Sequence, residues 1–290
     1  MVKHIKIIFN IFKILVKGNY QSLGKFTPFL KSINSFLLRC VRYKFKILFL
    51  KKYYPISSNI YHLNNLDNLG YTVFKNLKLS EKFKFQISKK RNEIIKLSKT
   101  SNIPFNILDI KDNDENSEFL SFATSDWLKN LMSCYLRTPV ILSRIEIWHS
   151  PNDKSLKGSS QNFHFDDQDD KSILFLIPLN EIDDDTGPFT LLNSNVSKNI
   201  IEKIYGKIGH LNSKRITDEE INAIDKTLIK SHSIRLTSNL GKGFLVDGDR
   251  CLHYGSRKAL KSRTMLVFHY FREFYFHFHK PESLVIQKFK

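Results

Sequence analysis

The sequence predicts an α+β fold, a mainly β core with flanking helices, carried behind a basic helical N-terminal extension. Three observations predict it. Apolar runs of strand length, bounded by turn residues, recur at 141–148, 172–179, 243–247 and 263–271. Between them stand segments with helical apolar spacing and capping residues. The first 66 residues hold 12 Lys and Arg and no Asp or Glu, so 12 of the net +18 charges sit there and the other 34 basic and 28 acidic residues leave only +6.

The chain has 290 residues, 41% of them hydrophobic, enough for one sizeable core. We expect two parts, a basic amphipathic extension over 1–60 and a single domain over 61–290. In the extension, Ile5, Ile8, Phe9, Phe12, Leu15 and Val16 share one helical face, while Lys6, Asn10, Lys13 and Lys17 take the other. A second stretch from Phe26 to Tyr54 repeats the spacing with Phe29, Leu30, Ile33, Phe36, Leu37 and Val41. Three roles are open to this arm: peripheral contact with an anionic membrane surface through residues 1–54, nucleic-acid binding, or helices that cover the core. Nucleic acid ranks lowest because no reader motif accompanies the charge. No uncharged run reaches the roughly 18–20 residues that span a bilayer. Lys13 interrupts the apolar run of a signal peptide.

Further along, Ser125 is placed to cap a helix over 126–136 whose Leu128, Leu131, Met132 and Tyr135 share a face, with Pro139 as a stop signal. The strand at 141–148 alternates, setting Arg144, Glu146 and Trp148 opposite Ile145 and Ile147. Residues 172–179 read as a buried strand, followed by the acidic turn 183–188. Thr217 and Glu220 have capping-box spacing ahead of Ile221, Ile224 and Leu228, which predicts a helix between the later strands. Residues 243–247 form a strand that ends in a Gly-Asp turn, and Arg263 opens the last, with Met265, Val267, His269 and Phe271 on its own face.

Residues 164–166 read His-Phe-Asp. In extended chain, His164 and Asp166 point to one side while Phe165 packs behind them, and His253 supplies a third ligand. Two imidazoles and one carboxylate on one side of an octahedral ion leave positions open for a chelating co-substrate and O₂, the arrangement of non-haem Fe(II) oxygenases. Arg263, ten residues after His253, can grip the distal carboxylate of a keto-diacid through two parallel hydrogen bonds, which assigns it to 2-oxoglutarate. Cupin-like binding proteins share the ligands but need no arginine there, so Arg263 discriminates. Asp166 argues against a halogenase, in which a small residue leaves room for halide.

Residues from about 60 to 275 resemble the phytanoyl-CoA dioxygenase family of Fe(II)/2-oxoglutarate oxygenases. Gly-Tyr-Thr-Val-Phe at 70–74, Phe-His-Phe-Asp at 163–166, Gly-Pro-Phe-Thr at 187–190, the stretch from Asp247 to Gly255, and that from Arg263 to Tyr270 carry the resemblance. It implies a double-stranded β-helix (jelly-roll, cupin-like) core and oxidative decarboxylation of 2-oxoglutarate coupled to substrate oxidation, usually hydroxylation. Family ligands fall on His164, Asp166 and His253. The chain departs from the family where residues 193–198 replace a Pro-Gly-Ser-His-like turn. Gly255 stands where some members place a hydroxyl that helps hold the keto-acid, and Ser256 is the nearest substitute.

The expected function is therefore a dioxygenase, using Fe(II), 2-oxoglutarate and O₂ to hydroxylate a small-molecule or lipid-like substrate. The alternative is an inactive jelly-roll binding module with the basic arm as its working part. Arg144, Glu146, Trp148 and Tyr254 are substrate contacts if their faces line the cavity, and ordinary surface if they face solvent. His277 and His279 suit a second metal or, more simply, an exposed alternating strand. Asp167, Asp169 and Asp170 are expected as a solvated acidic rim. Three unpaired cysteines, Cys40, Cys134 and Cys251, indicate no disulfide framework or zinc site and a reducing cytoplasm, with possible peripheral association at a membrane surface. Cys251 is read as packing. Substrate identity and oligomeric state leave no signal in the sequence.

Overall fold

Strand alternation sorts the apolar residues onto two faces of one large antiparallel sheet, and that sorting positions everything else. The computed structural model describes residues 53–100, 105–111, 113–151, 159–166, 171–206, 215–238, 241–257, 259–272 and 287–288. The basic arm up to residue 52, the Asp167, Asp169 and Asp170 rim, His277, His279 and Cys40 lie outside the described residues.

The first half of the domain supplies helices and the sheet's edge. Helix α1 (Ile60–Leu69) leads through Gly70 into β1 (Tyr71–Phe74). Helix α2 (Glu81–Thr100), β2 (Asn106–Asp109), α3 (Ser117–Ala123) and α4 (Asp126–Leu136) follow. The strands β3 (Val140–Ser150), β4 (Ile173–Pro178), β5 (Thr190–Leu191), β6 (Ile234–Arg235), β7 (Gly243–Asp247), β8 (His253–Tyr254), β9 (Arg263–Arg272) and β10 (Gln287–Lys288) complete two sheets. The larger runs β1-β7-β4-β9-β3-β10, with β2 also paired to β3; the smaller runs β6-β5-β8. Every pairing is antiparallel. The architecture is therefore the α+β mixture of helices and antiparallel sheets that the apolar runs predict.

One face of the large sheet, including Ile145, Ile147, Ile173, Phe175, Ile177, Leu245, Leu266, Phe268 and Tyr270, packs against helices α1 to α4. Burying each such aliphatic or phenyl side chain contributes roughly 1.5–3 kcal/mol, so this layer anchors the sheet. Helix α4 meets it through Leu128, Leu131, Met132 and Tyr135, all fully buried, as its spacing predicts. The opposite face carries Leu174, Leu176, Phe244, Val246, Met265 and Val267, packed with Phe189 and Leu191 of the small sheet's first strand and its approach. The chemistry sits on this second face.

Local details depart from expectation at two helices. Ser125 occupies the N-cap of α4, but its hydroxyl donates to the Phe122 carbonyl at 2.8 Å and caps nothing. The Thr217–Glu220 capping box forms, with Thr217 N donating to Glu220 at 2.8 Å and Glu220 N to Thr217 at 3.2 Å. The helix it starts, α6 (Asp218–Ile224), nevertheless stops before Leu228, which opens a separate α7 (Leu228–His232). Asp225 breaks them apart: its carboxylate accepts from both the backbone and the hydroxyl of Thr227 at 2.8 Å, a local turn that competes with the helix. Upstream, Asn193 caps α5 (Ser194–Tyr205) by accepting from Asn195 N and Val196 N, so the segment that departs from the family's turn starts a helix.

Among the described residues, no helix is long and apolar enough to cross a membrane.

Candidate metal centre

His164, Asp166 and His253 converge. One ligand atom from each lies within 4.8 Å of the other two, the only such group of three or more among the described residues. The segment that carries the first two is not the strand expected of it. Phe163 and His164 form single bridges, to Ile216 and His253. Asp166 continues in extended chain, its N–H bonded to the Gly248 carbonyl at 3.0 Å. Extended geometry without a full ladder still places His164 and Asp166 on one side, while Phe163 and Phe165 turn into a third cluster with Leu252 and Tyr254.

Both histidines are oriented in the same way. His164 Nδ1 lies 2.8 Å from the Asn162 carbonyl and His253 Nδ1 lies 2.9 Å from the Cys251 carbonyl. A carbonyl oxygen can only accept, so each Nδ1 donates and each Nε2 is the ring nitrogen left for the site. Asp166 completes the donor set with an oxygen 3.3 Å from His253 Nε2, where a metal would take the place of the proton the two groups share. Two imidazoles and one carboxylate with fixed orientation fit a divalent transition metal.

The electrostatics agree. Burial, reinforced by the charge of His253, pushes His164 down to about 4. Burial would raise Asp166, but attraction and a hydrogen bond from His253, with His164 and His269 adding, outweigh it and draw the carboxyl down to about 2. Burial likewise opposes the charged form of His253, and Asp166 reverses that, raising it.

Packing sharpens the geometry. Phe189 stacks on the His253 ring at 5.0 Å and 20°. A Cβ on Gly248 would come within 1.9 Å of Asp166 Oδ2, so only glycine lets the carboxylate lie over that turn. The turn itself is fastened below: Asp247 accepts hydrogen bonds from the Tyr135 hydroxyl, Ser172 N and Asp249 N. Arg250 reaches Tyr135 at 2.8 Å, Ser194 and the end of α1.

Arg263 is 3% exposed, and its guanidinium donates to the Gly187 carbonyl at 2.9 Å. It has no acidic partner among the described residues, and burial alone pushes it down to about 10. Ser256 stands beside the same turn. Its hydroxyl is directed to the Thr186 carbonyl at 3.5 Å and touches Gly187, where a Cβ would collide with it. Strand β8 turns Tyr254 to the face opposite His253. Tyr254 packs edge-on against Phe163 at 4.9 Å and under Arg257 at 3.5 Å, and Arg257 in turn grips Asp218 through two bonds. The Cys251 thiol points to the Leu69 carbonyl, a packing position.

Arg144, Glu146 and Trp148 share a face, as alternation predicts, with Glu146 buried between the half-buried Arg144 and Trp148. Glu146 is 5% exposed and accepts from Trp148 Nε1 at 2.7 Å and from Arg144 at 3.4 Å. It also pairs with His269 Nε2 at 3.0 Å. Burial opposes ionisation of Glu146, yet His269, Trp148 and Arg144 together lower its pKa. Sequence reasoning gave His269 and Gly248 no role. Alternation from Arg263 already put His269 on the site's face, whereas nothing local marks Gly248 as more than a turn residue.

No protein-family model matches the chain, and no curated protein matches it in sequence. Solved structures do. The EctD protein of S. alaskensis with 2-oxoglutarate and 5-hydroxyectoine is similar at a TM-score of 0.55 and 15% identity, over 77% of this chain and 80% of that one. The same protein with bound Fe is similar at 0.53 and 14%, over 82% and 91%. At such identities the likeness establishes the fold: the chain has the architecture of EctD.

Proposed function

We propose that the chain is a non-haem Fe(II)- and 2-oxoglutarate-dependent dioxygenase with a jelly-roll core, hydroxylating a small-molecule substrate. One observation carries the reading: two histidines whose Nδ1 atoms are committed to carbonyls and one carboxylate meet within 4.8 Å on the sheet face that also holds Arg263. The similar EctD structures, solved with Fe and with 2-oxoglutarate, support the same reading.

In this function His164, Asp166 and His253 hold iron. Iron bound there supplies O₂ activation coupled to decarboxylation of the keto-acid and oxidation of a substrate C–H bond. The chain's own residues do the rest. Asn162 and Cys251 orient the two imidazoles through their carbonyls. Arg263, buried and without a carboxylate of its own, binds the distal carboxylate of 2-oxoglutarate and is held for that task by Gly187. Phe189, Met265 and Val267 exclude water around the ligands. Ser256 fixes the Gly187 turn and so acts on Arg263 at second hand. For the basic arm the reading is peripheral contact with an anionic membrane surface, and nucleic acid is the weakest alternative.

The test is anaerobic titration with Fe(II) and 2-oxoglutarate, following the weak visible charge-transfer band of the keto-acid chelate. The expected band is lost in Asp166→Ala and weakened in Arg263→Ala. A well-folded protein with no band overturns the reading in favour of a binding module.

A further inference from the structure

We propose that Arg144 and His269 receive an uncharged hydroxyl group of the substrate, which makes the substrate a neutral, hydroxylated small molecule. The inference rests on the oxygenase reading and names the substrate class of that site.

Register places the two residues together. Arg144 stands directly opposite His269 across β3 and β9, with Glu146 opposite Val267 and Trp148 opposite Met265. His269 shares the inner face of β9 with Arg263, Met265 and Val267, and it is close enough to the metal ligands to act on the charge of Asp166.

The hydrogen-bond accounting then selects a group. A carboxylate accepts only, so His269 Nε2 donates to Glu146, and in the proposed arrangement that is the ring's single proton, which leaves Nδ1 as an acceptor. That Nδ1 is buried, 5% of the residue being exposed, and has no partner among the described residues. Arg144 Nε, which can only donate, is also buried without a partner among the described residues. Native proteins rarely leave such atoms unmet, because each loses its water and gains nothing. One unmet donor and one unmet acceptor on facing residues match a group that accepts and donates at once, a hydroxyl.

Charge disfavours an anion. Arg144 and Glu146 pair at 3.4 Å, and the exposed Asp109, opposite Glu146 on β2, adds a second negative charge that acts on both and on His269. An anion is better served at Arg263, which no acidic group among the described residues neutralises. The Trp148 ring meets His269 at 5.7 Å and 64°, and Phe105 meets Trp148 at 5.9 Å, an aromatic wall suited to the C–H surface beside a hydroxyl.

The experiment uses the full chain loaded with Zn(II), a diamagnetic stand-in, and 2-oxoglutarate, with imidazole ¹⁵N NMR as the readout. Three probes of equal size differ in charge: methyl glucoside (neutral), methyl glucuronoside (anionic) and methyl glucosaminide (cationic). The expected result is a free protein with His269 protonated at Nε2 only, and an Nδ1 signal that shifts with the neutral probe in preference to both charged ones. Arg144→Met and His269→Phe are each expected to weaken that probe about tenfold, the worth of one hydrogen bond. A proton on Nδ1 in the free protein overturns the proposal. So does preference for a charged probe, equal binding of the neutral one by both variants, or binding of none of the three. Keto-acid affinity is read in the same samples, so failure of the oxygenase reading shows as no 2-oxoglutarate binding, separately from the His269 result.

Discussion

His164 and His253 exchange both of their backbone hydrogen bonds, N to O at 3.0 Å in each direction, while their rings lie 4.4 Å apart. Two segments far apart in the chain thus place their imidazoles through the main chain, and the side chains are free to serve a ligand. The neighbouring bond from Asp166 N to the Gly248 carbonyl extends this arrangement to the carboxylate. Preorganisation of this kind lowers the cost of assembling a metal site.

Removing a ligand side chain should therefore spare the fold. His164→Ala and His253→Ala are expected to weaken Fe(II) binding at least about a hundredfold, beyond the tenfold to hundredfold typical of lost supporting contacts. Far-ultraviolet circular dichroism should stay unchanged, and the thermal midpoint of the metal-free protein should move by only a few degrees. A variant that unfolds would show that the side chains, and not the backbone bridge, hold these segments together.

Gly248→Ala tests the site without touching a ligand. Its new methyl would lie 1.9 Å from Asp166 Oδ2, so the carboxylate has to leave its place. We expect iron affinity to fall about tenfold or more, with secondary structure intact, as read by competition against a chelator of known affinity. Unchanged affinity would mean that Asp166 binds equally well from another rotamer.

The sequence shows the candidate ligands and hides their supports. His164, Asp166, His253 and Arg263 were legible because ligand types at strand spacing, followed by a cation at a strand's start, leave a local pattern. The helix at 126–136 and the strands at 172–179, 243–247 and 263–271 were legible from apolar periodicity alone. The Asn162 and Cys251 carbonyls were not, since any residue offers a carbonyl and only the fold says where it points. The face Tyr254 takes was not legible, because in a two-residue strand it depends on the partner, here Thr190. The Glu146–His269 pair joins strands distant in sequence, so each residue alone reads as a polar interruption in an apolar run.

Arg263 sets stability against function. A buried guanidinium with one carbonyl partner and no counter-ion among the described residues carries an uncompensated desolvation cost. Arg263→Met keeps the volume and removes the charge. The ligand-free variant is expected to gain about 1 kcal/mol or more in unfolding free energy, while 2-oxoglutarate binding weakens at least about tenfold, since a charge-assisted bond is lost. Denaturant melts and keto-acid titration read the two effects. A variant less stable than the parent would show that Arg263 serves the fold first.

Asp247 gives the protein a dependence on pH that can be isolated. It is fully buried, and burial raises its pKa from 3.8 to about 6 despite the Tyr135 hydroxyl, Arg250 and Lys171 around it. The folded state therefore holds this proton more tightly than the unfolded chain does. The resulting stabilisation is complete below pH 3.8 and is lost as pH rises through about 6. The whole shift corresponds to about 3 kcal/mol, of which about 2 kcal/mol falls between pH 4 and pH 7. Asparagine keeps the shape and cannot titrate, with its amide oxygen able to accept from Ser172 N and Asp249 N as the carboxylate does. Urea unfolding of the metal-free parent and of Asp247→Asn across this range should give a difference that grows with pH, the parent losing ground. Groups common to both cancel in that difference, so parallel curves would mean that Asp247 keeps an ordinary carboxylate pKa in its buried place.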